Sequence, residues 1–146
     1  MSYLIDPNVL SELRKRQPDE AVVTWFAKRP GPALYLSVLT IGELRKGIDA
    51  MRHDDPRKPS LLDWLENDLP RYFDGRILPI DVKVANRWGQ ICAMAKRPLP
   101  AIDSLLAATA MAHDLILVTR NARDFNVPGI HVLDPWQDKN TDGQHP

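Results

Sequence analysis

Four acidic residues, far apart in the chain, each stand where a strand-like segment gives way to a helix or a turn. Asp6 follows Ser2-Tyr3-Leu4-Ile5, and Glu43 comes after Leu34-Tyr35-Leu36-Ser37-Val38. Asp103 heads an Ala-rich helix, and Asp124 comes just past Leu115-Ile116-Leu117-Val118. In an open α/β sheet the strand ends converge on one crevice, and ligands bind there. Two carboxylates about 5 Å apart repel by roughly 3 kcal/mol at an effective dielectric of about 20. Three or four together lift at least one pKa above its free value. A hard divalent cation removes that penalty. A set of carboxylates with an amide, Asn121, nearby favours Mg²⁺ or Mn²⁺ over zinc. None of His53, His113, His131 and His145 has metal-ligand spacing to another. The chemistry such a site supports is attack of a metal-activated water on a phosphodiester.

Each acid alone has a simpler reading. Asp6 before Pro7 is a natural helix N-cap, with Asn8 beside it. Glu43 stands three residues after Thr40, the spacing of a capping box. Asp103 is placed to cap its helix, and Asp124 to serve in a turn. Their shared position at strand ends tips the balance toward a common site. Arg14, Lys15, Arg45, Lys46, Arg120 and Arg123 are cations that a phosphate backbone would want. Arg120 and Arg123 bracket Asn121 and are the better candidates for substrate contact, whereas Arg14 and Lys15 read equally well as solvated helix ends. Ser11, Thr40, Ser104 and Thr119 bring hydroxyls to the neighbourhood, but no base stands at a motif-like offset, which excludes a serine nucleophile. The four tryptophans read as packing.

These residues require a frame of alternating strands and helices. Tyr3 to Ile5 predicts a short buried strand, and Pro7 opens a helix reaching Lys15, since proline suits the first helical turn. A helix over 20–27 carries Val22, Val23 and Phe26. Residues 34–38 form the second strand, and a helix capped at Thr40 runs to about Met51. After a loop over 54–60, Leu61, Leu62, Leu65 and Leu69 trace a helical stripe. Residues 76–80 are a strand, and Asp81 caps a helix bearing Val84, Trp88, Ile91 and Ala95. The run 102–112 is almost wholly apolar, hence a buried helix. Leu115 to Val118 and Ile130 to Leu133 complete the strands. Such alternation predicts a mostly parallel sheet of about five strands between two helical layers.

The 146 residues suffice for one domain with a proper core. With 19 basic and 19 acidic side chains the net charge is zero, so any phosphate-binding surface must come from local clustering. Cys92 stands alone, which fits a reducing cytosol and excludes a cysteine zinc site. A carboxylate at position 6 argues against a signal peptide, and no apolar run is long enough to span a bilayer. The expected organisation is one domain over 1–136 and a polar, disordered tail over 137–146.

The segment from Tyr3 to Lys15 resembles the opening of PIN-domain endoribonucleases, most closely the VapC-type toxins of bacterial toxin–antitoxin pairs and their FitB-like branch. Residues 36–48, 99–110 and 117–125 are similar to the second, third and fourth signatures, so the resemblance runs from Tyr3 to about Pro135. It implies a PIN-like three-layer α/β/α sandwich and Mg²⁺-dependent RNA cleavage in the cytoplasm. It also implies a homodimer and a cognate antitoxin, in a hetero-oligomer able to bind DNA. Asp6, Glu43 and Asp103 match the family's metal-binding acids. Asp124 is assigned to the metal as well, with Asn121 its neighbour. One departure is Pro7, where the family usually has Thr or Ser; a hydroxyl and a backbone N–H are both lost. That change motivates the rival expectation of a catalytically weak binding module acting mainly with its antitoxin on DNA. A phospho-acceptor domain is discounted, because the chain lacks paired acids at the first strand.

Overall fold

The computed structural model describes residues 1–137; the expected tail, apart from Gln137, lies outside the described residues. Five short strands, β1 (Tyr3–Ile5), β2 (Leu34–Ser37), β3 (Ile77–Leu78), β4 (Ile116–Val118) and β5 (Val132–Leu133), form one sheet. Their order is β3-β2-β1-β4-β5, and every pairing is parallel. The chain builds outward from β1 on one side, then returns to add β4 on the other. The reversal between β1 and β4 creates the topological switch point at which such sheets bind ligands.

Alternation along β1 explains the layers. Tyr3 and Ile5 face helices α1 (Pro7–Leu13), α2 (Glu20–Ala27) and α3 (Val38–Asp49), packing with Val9, Val22, Trp25, Leu44 and Ile48. Leu4 points the other way, joining Leu117 against α6 (Val82–Met94) and α7 (Ala101–Ala112) through Val84, Ile91 and Leu106. A central parallel strand is thus buried on both faces, as its unbroken apolar run requires. Between α3 and β3, α4 (Lys58–Asp63) and α5 (Leu69–Tyr72) are joined by a π turn over Trp64–Asp68. Pro70 has no N–H to donate back along the helix, so a widened turn before it relieves the backbone.

Several boundaries differ from the sequence expectation. Helix α3 begins at Val38, two residues before Thr40, because Ser37 is the actual N-cap and its hydroxyl accepts from the Leu39 N–H at 3.0 Å. Thr40 is buried inside the helix, where its hydroxyl has no hydrogen-bond partner among the described residues. The Thr40–Glu43 capping box is therefore absent. Helix α1 stops at Leu13 rather than Lys15, and α4 starts within the expected loop at Lys58. In α2 the buried face is Val22 and Trp25, while Val23 is exposed.

The turn between α1 and α2 is held by Glu12, a carboxylate that accepts from Lys15 Nζ at 2.8 Å and from the Asp19 N–H at 2.9 Å. Chiefly the Lys15 contact, against the opposing effect of burial, holds its pKa below the ordinary 4.5. A lowered carboxylate contributes stability that is complete above its unfolded pKa and disappears as pH falls through its folded value. Glu12→Gln should therefore lower stability by about 1 kcal/mol at neutral pH. The difference from the parent should shrink below pH 4.5, as read by urea denaturation across an acid pH series.

Candidate active site

Asp6 closes β1 and caps α1. Its backbone is extended (φ −69°, ψ 148°), its carboxylate accepts from the Asn8 N–H at 3.0 Å, and Pro7 occupies the first helical turn, where an N–H is dispensable. Its own N–H donates to the Val118 carbonyl at 2.9 Å, extending the β1–β4 ladder one step beyond the strand. The side chain is only 7% exposed. Asp6 is thus both a cap and a buried carboxylate at the switch point.

Thr119, fully buried just after β4, is the centre of the local network. Its Oγ1 accepts from Asn8 Nδ2 at 3.3 Å and from the Asn121 N–H at 3.2 Å. Its hydroxyl also helps to lower the Asp6 pKa, against the effect of burial. Asn8 Oδ1 in turn accepts from the Arg120 N–H at 3.4 Å. Sequence reasoning noted Thr119 only as a nearby hydroxyl and Asn8 as a companion at the helix mouth. Their position at a parallel-strand junction was the available signal. The hydroxyl that Pro7 cannot supply does reach Asp6, from the neighbouring strand.

The other acids approach from α3, α7 and the loop after β4. Burial is the largest influence raising the Asp6 pKa, opposed by the Asn8 and Thr119 hydrogen bonds and reinforced by the negative charges of Asp103 and Glu43. Asp103 is raised as well, first by burial and then by Asp124 and Glu43. Asp6, Glu43 and Asp103 therefore lie within electrostatic reach of one another, and Asp124 within reach of Asp103. Asp103 makes no N-cap hydrogen bond; Pro100 occupies the cap position of α7. Glu43 is an interior residue of α3. Capping accounts for neither. Asp124, exposed, ends a 3₁₀ turn over Ala122–Asp124 that starts just after Asn121.

Among the described residues no three His, Cys, Asp or Glu side chains are drawn together closely enough to hold an ion unaided. The donors are nevertheless hard oxygens, and two of them are carboxylates whose charged form is disfavoured there. That fits an ion of the Mg²⁺ type, which keeps several waters and takes few protein ligands; it does not fit a closed zinc centre.

The surrounding cations divide sharply. Arg45 is tied to Glu66 at 2.7 Å and to Asp49 at 3.6 Å, Lys15 is tied to Glu12, and Arg14 lies over the Trp64 ring. Arg120 lies over the Trp136 ring, 5.0 Å from its centroid, a platform that holds the guanidinium beside the crevice. Arg123 and Asn121 are exposed next to it. Trp64 and Trp136 thus carry arginines in addition to packing against the core. Ser104 accepts from Trp88 Nε1 and donates to the Ala101 carbonyl, both at 2.9 Å, so it fastens α6 to the head of α7 and is no nucleophile.

Residues 3–129 match the PIN domain family. The chain is 38% identical to the toxin FitB of Neisseria gonorrhoeae over 138 residues, 92% of this chain and 99% of that protein. It is 34% identical to VapC ribonuclease Y4jK of Sinorhizobium fredii, over 92% of this chain and 97% of that one. Among solved structures it resembles FitAcB from Neisseria gonorrhoeae, with a TM-score of 0.86 at 37% identity over 92% of this chain and 99% of that chain. It is also similar to FitAB bound to a DNA fragment, with a TM-score of 0.84 at 33% identity over 92% and 96% of the two chains.

The charge arrangement sets a pH dependence. A raised carboxyl pKa means that the folded form binds more protons than the unfolded form between 3.8 and the raised value. Stability from this group therefore falls as pH rises through that window. In chelator-treated protein, Asp6→Asn should raise the thermal midpoint at neutral pH, and the gain should vanish as pH is lowered toward 3.8. Midpoints of parent and variant that move in parallel across the series would show that Asp6 carries no such cost.

Proposed function

The chain belongs to the PIN domain family, and from that premise we propose that it is a Mg²⁺-dependent endoribonuclease, the toxin of a toxin–antitoxin pair. The observation that carries the reading is the gathering of Asp6, Glu43, Asp103 and Asp124 at the β1–β4 switch point, where Asp6 and Asp103 are held with raised pKa values. Asp6, Glu43 and Asp103 would hold the ion and Asp124 would complete the set, with Mn²⁺ a chemically equivalent occupant. When bound, the cation supplies Lewis-acid polarisation of a phosphodiester and a water of lowered pKa.

The protein's own part is to fix the carboxylates and the substrate. Thr119 and Asn8 orient Asp6, leaving the Asp6 carboxylate ionised despite its burial once a cation offsets the neighbouring charge. Arg120, steadied on Trp136, and Arg123 are placed to contact phosphate oxygens flanking the site, and Asn121 offers an amide beside them. Pro7 takes a hydroxyl from the helix mouth, yet the Thr119 hydroxyl serves the same carboxylate, which supports an active enzyme over a catalytically silent binding module.

The solved structures it resembles include a toxin–antitoxin complex from Klebsiella pneumoniae and FitAB bound to a DNA fragment. We infer that this chain likewise pairs with a cognate antitoxin, forms a homodimer and acts in the cytoplasm. No helix among the described residues is long and apolar enough to cross a membrane.

Asp103→Ala should abolish RNA cleavage and growth inhibition with an unchanged circular dichroism spectrum. Millimolar Mg²⁺ should raise the melting temperature of the parent and not of the variant, since a ligand present at about 100 times its dissociation constant stabilises by about 2.7 kcal/mol. Full cleavage by the Asp103→Ala protein would refute the assignment.

A further inference from the structure

A concavity of about 930 Å³ lies between the C-terminal half of α6, the turn that follows it, and residues 124–129. Asp124 belongs to its wall, so it opens directly beside the acidic crevice. A second hollow of about 440 Å³ shares Arg87, Met111 and Gly129 with the first and continues to Asp114 and His131. The two make one groove leading away from the site. Gly129 is central to its shape. Its φ of 88° lies in the left-handed region, and a Cβ there would stand 3.3 Å from Met111 Cε, so only glycine lets this loop close against α7 unstrained.

We propose that this groove binds the single-stranded RNA segment flanking the scissile phosphate, an inference that rests on the nuclease reading above. Three cations line it, Arg87, Lys96 and Arg97, and none of them has an ion pair or hydrogen-bond partner among the described residues. They differ in this from Arg45 and Lys15, whose charges are already answered within the chain. Three unanswered cations outnumber the two carboxylates of the same lining, Asp124 and Asp114, and suit a polyanion. Between them lie Met94, Leu99 and Met111, apolar surfaces on which bases can rest, and Gln90 and Asn126, whose amides can address base edges. A groove of this size accepts more than one small group. An unpaired strand with splayed bases presents both the phosphates and the base faces that this lining can meet. A second copy of this chain is the poorer occupant, because a two-fold axis would set the same three cations against themselves.

The test uses the full chain with Asp103→Asn, which leaves RNA uncut, and a fluorescein-labelled unstructured RNA oligonucleotide followed by anisotropy over a series of salt concentrations. Adding Lys96→Glu with Arg97→Glu, or Arg87→Glu, should weaken binding about tenfold or more. It should also flatten the salt dependence by about one unit for each phosphate no longer neutralised. The charge-neutral pair Lys96→Gln with Arg97→Gln should fall between, and Arg16→Glu, remote from the groove, should bind like the parent. Matched thermal midpoints establish that the variants fold. Unchanged affinity and salt slope in the groove variants would overturn the proposal, as would variants that alter only the sedimentation behaviour, which would assign the face to a second copy. Two outcomes separate this inference from its premise. If the native chain cuts RNA and the groove variants bind and cut equally well, the groove fails and the nuclease stands. If the native chain cuts no RNA yet binding still depends on the groove cations, the strand site stands and the nuclease reading falls.

Discussion

A carboxylate buried among other carboxylates is the constraint around which this molecule is organised. Asp6 is nearly enclosed, yet it follows directly on the most buried strand of the sheet and caps the helix that leaves it. The sheet order forces this: the chain must leave β1 at its carboxyl end, where the reversal of strand order opens a crevice. The Thr119 hydroxyl and the Asn8 N–H offset part of the cost of burial, while Asp103 and Glu43 add to it. A fold that only needed stability would place an apolar side chain or a lone cap here. Keeping a carboxylate at such a position is what the cation site proposed above would require.

Much of the frame was legible from the chain because its signals are local. The apolar run of β1, proline at the first turn of α1, and Asp81 ahead of α6 each name their structure through a few neighbouring residues, and each is found. Errors arose where two local signals competed. Ser37 and Thr40 can both cap a helix, and the Thr40–Glu43 spacing imitates a capping box; Ser37 takes the role because the strand ends there. Without that capping box, the place of Glu43 in the middle of α3 has no local account. The four acids were grouped from an expected common place at strand ends. In the structure Glu43 lies inside α3 and Asp103 in the first turn of α7, yet both remain within electrostatic reach of Asp6, and Asp124 within reach of Asp103.

What sequence could not give depends on long-range partners. Whether an arginine is available to a substrate is settled by a distant residue, such as Glu66 for Arg45 or Trp136 for Arg120. The stripe expected on α6 included Trp88 and Ala95, but only Val84 and Ile91 of that helix are buried. The reason is that α6 packs mainly on α7 and leaves its remaining surface toward the groove. No short motif announces a channel assembled from residues 87–97, 111 and 124–129.

The rung between the Asp6 N–H and the Val118 carbonyl stitches the two strands together at the very lip of the crevice. The proposed chemistry would thus take place on a surface fixed by the backbone hydrogen bonds of the sheet. Silencing such a molecule by prying it out of shape would mean tearing the β-sheet itself. On the reading proposed above, control would come from outside, as a stopper that occupies the mouth and can be pulled away again.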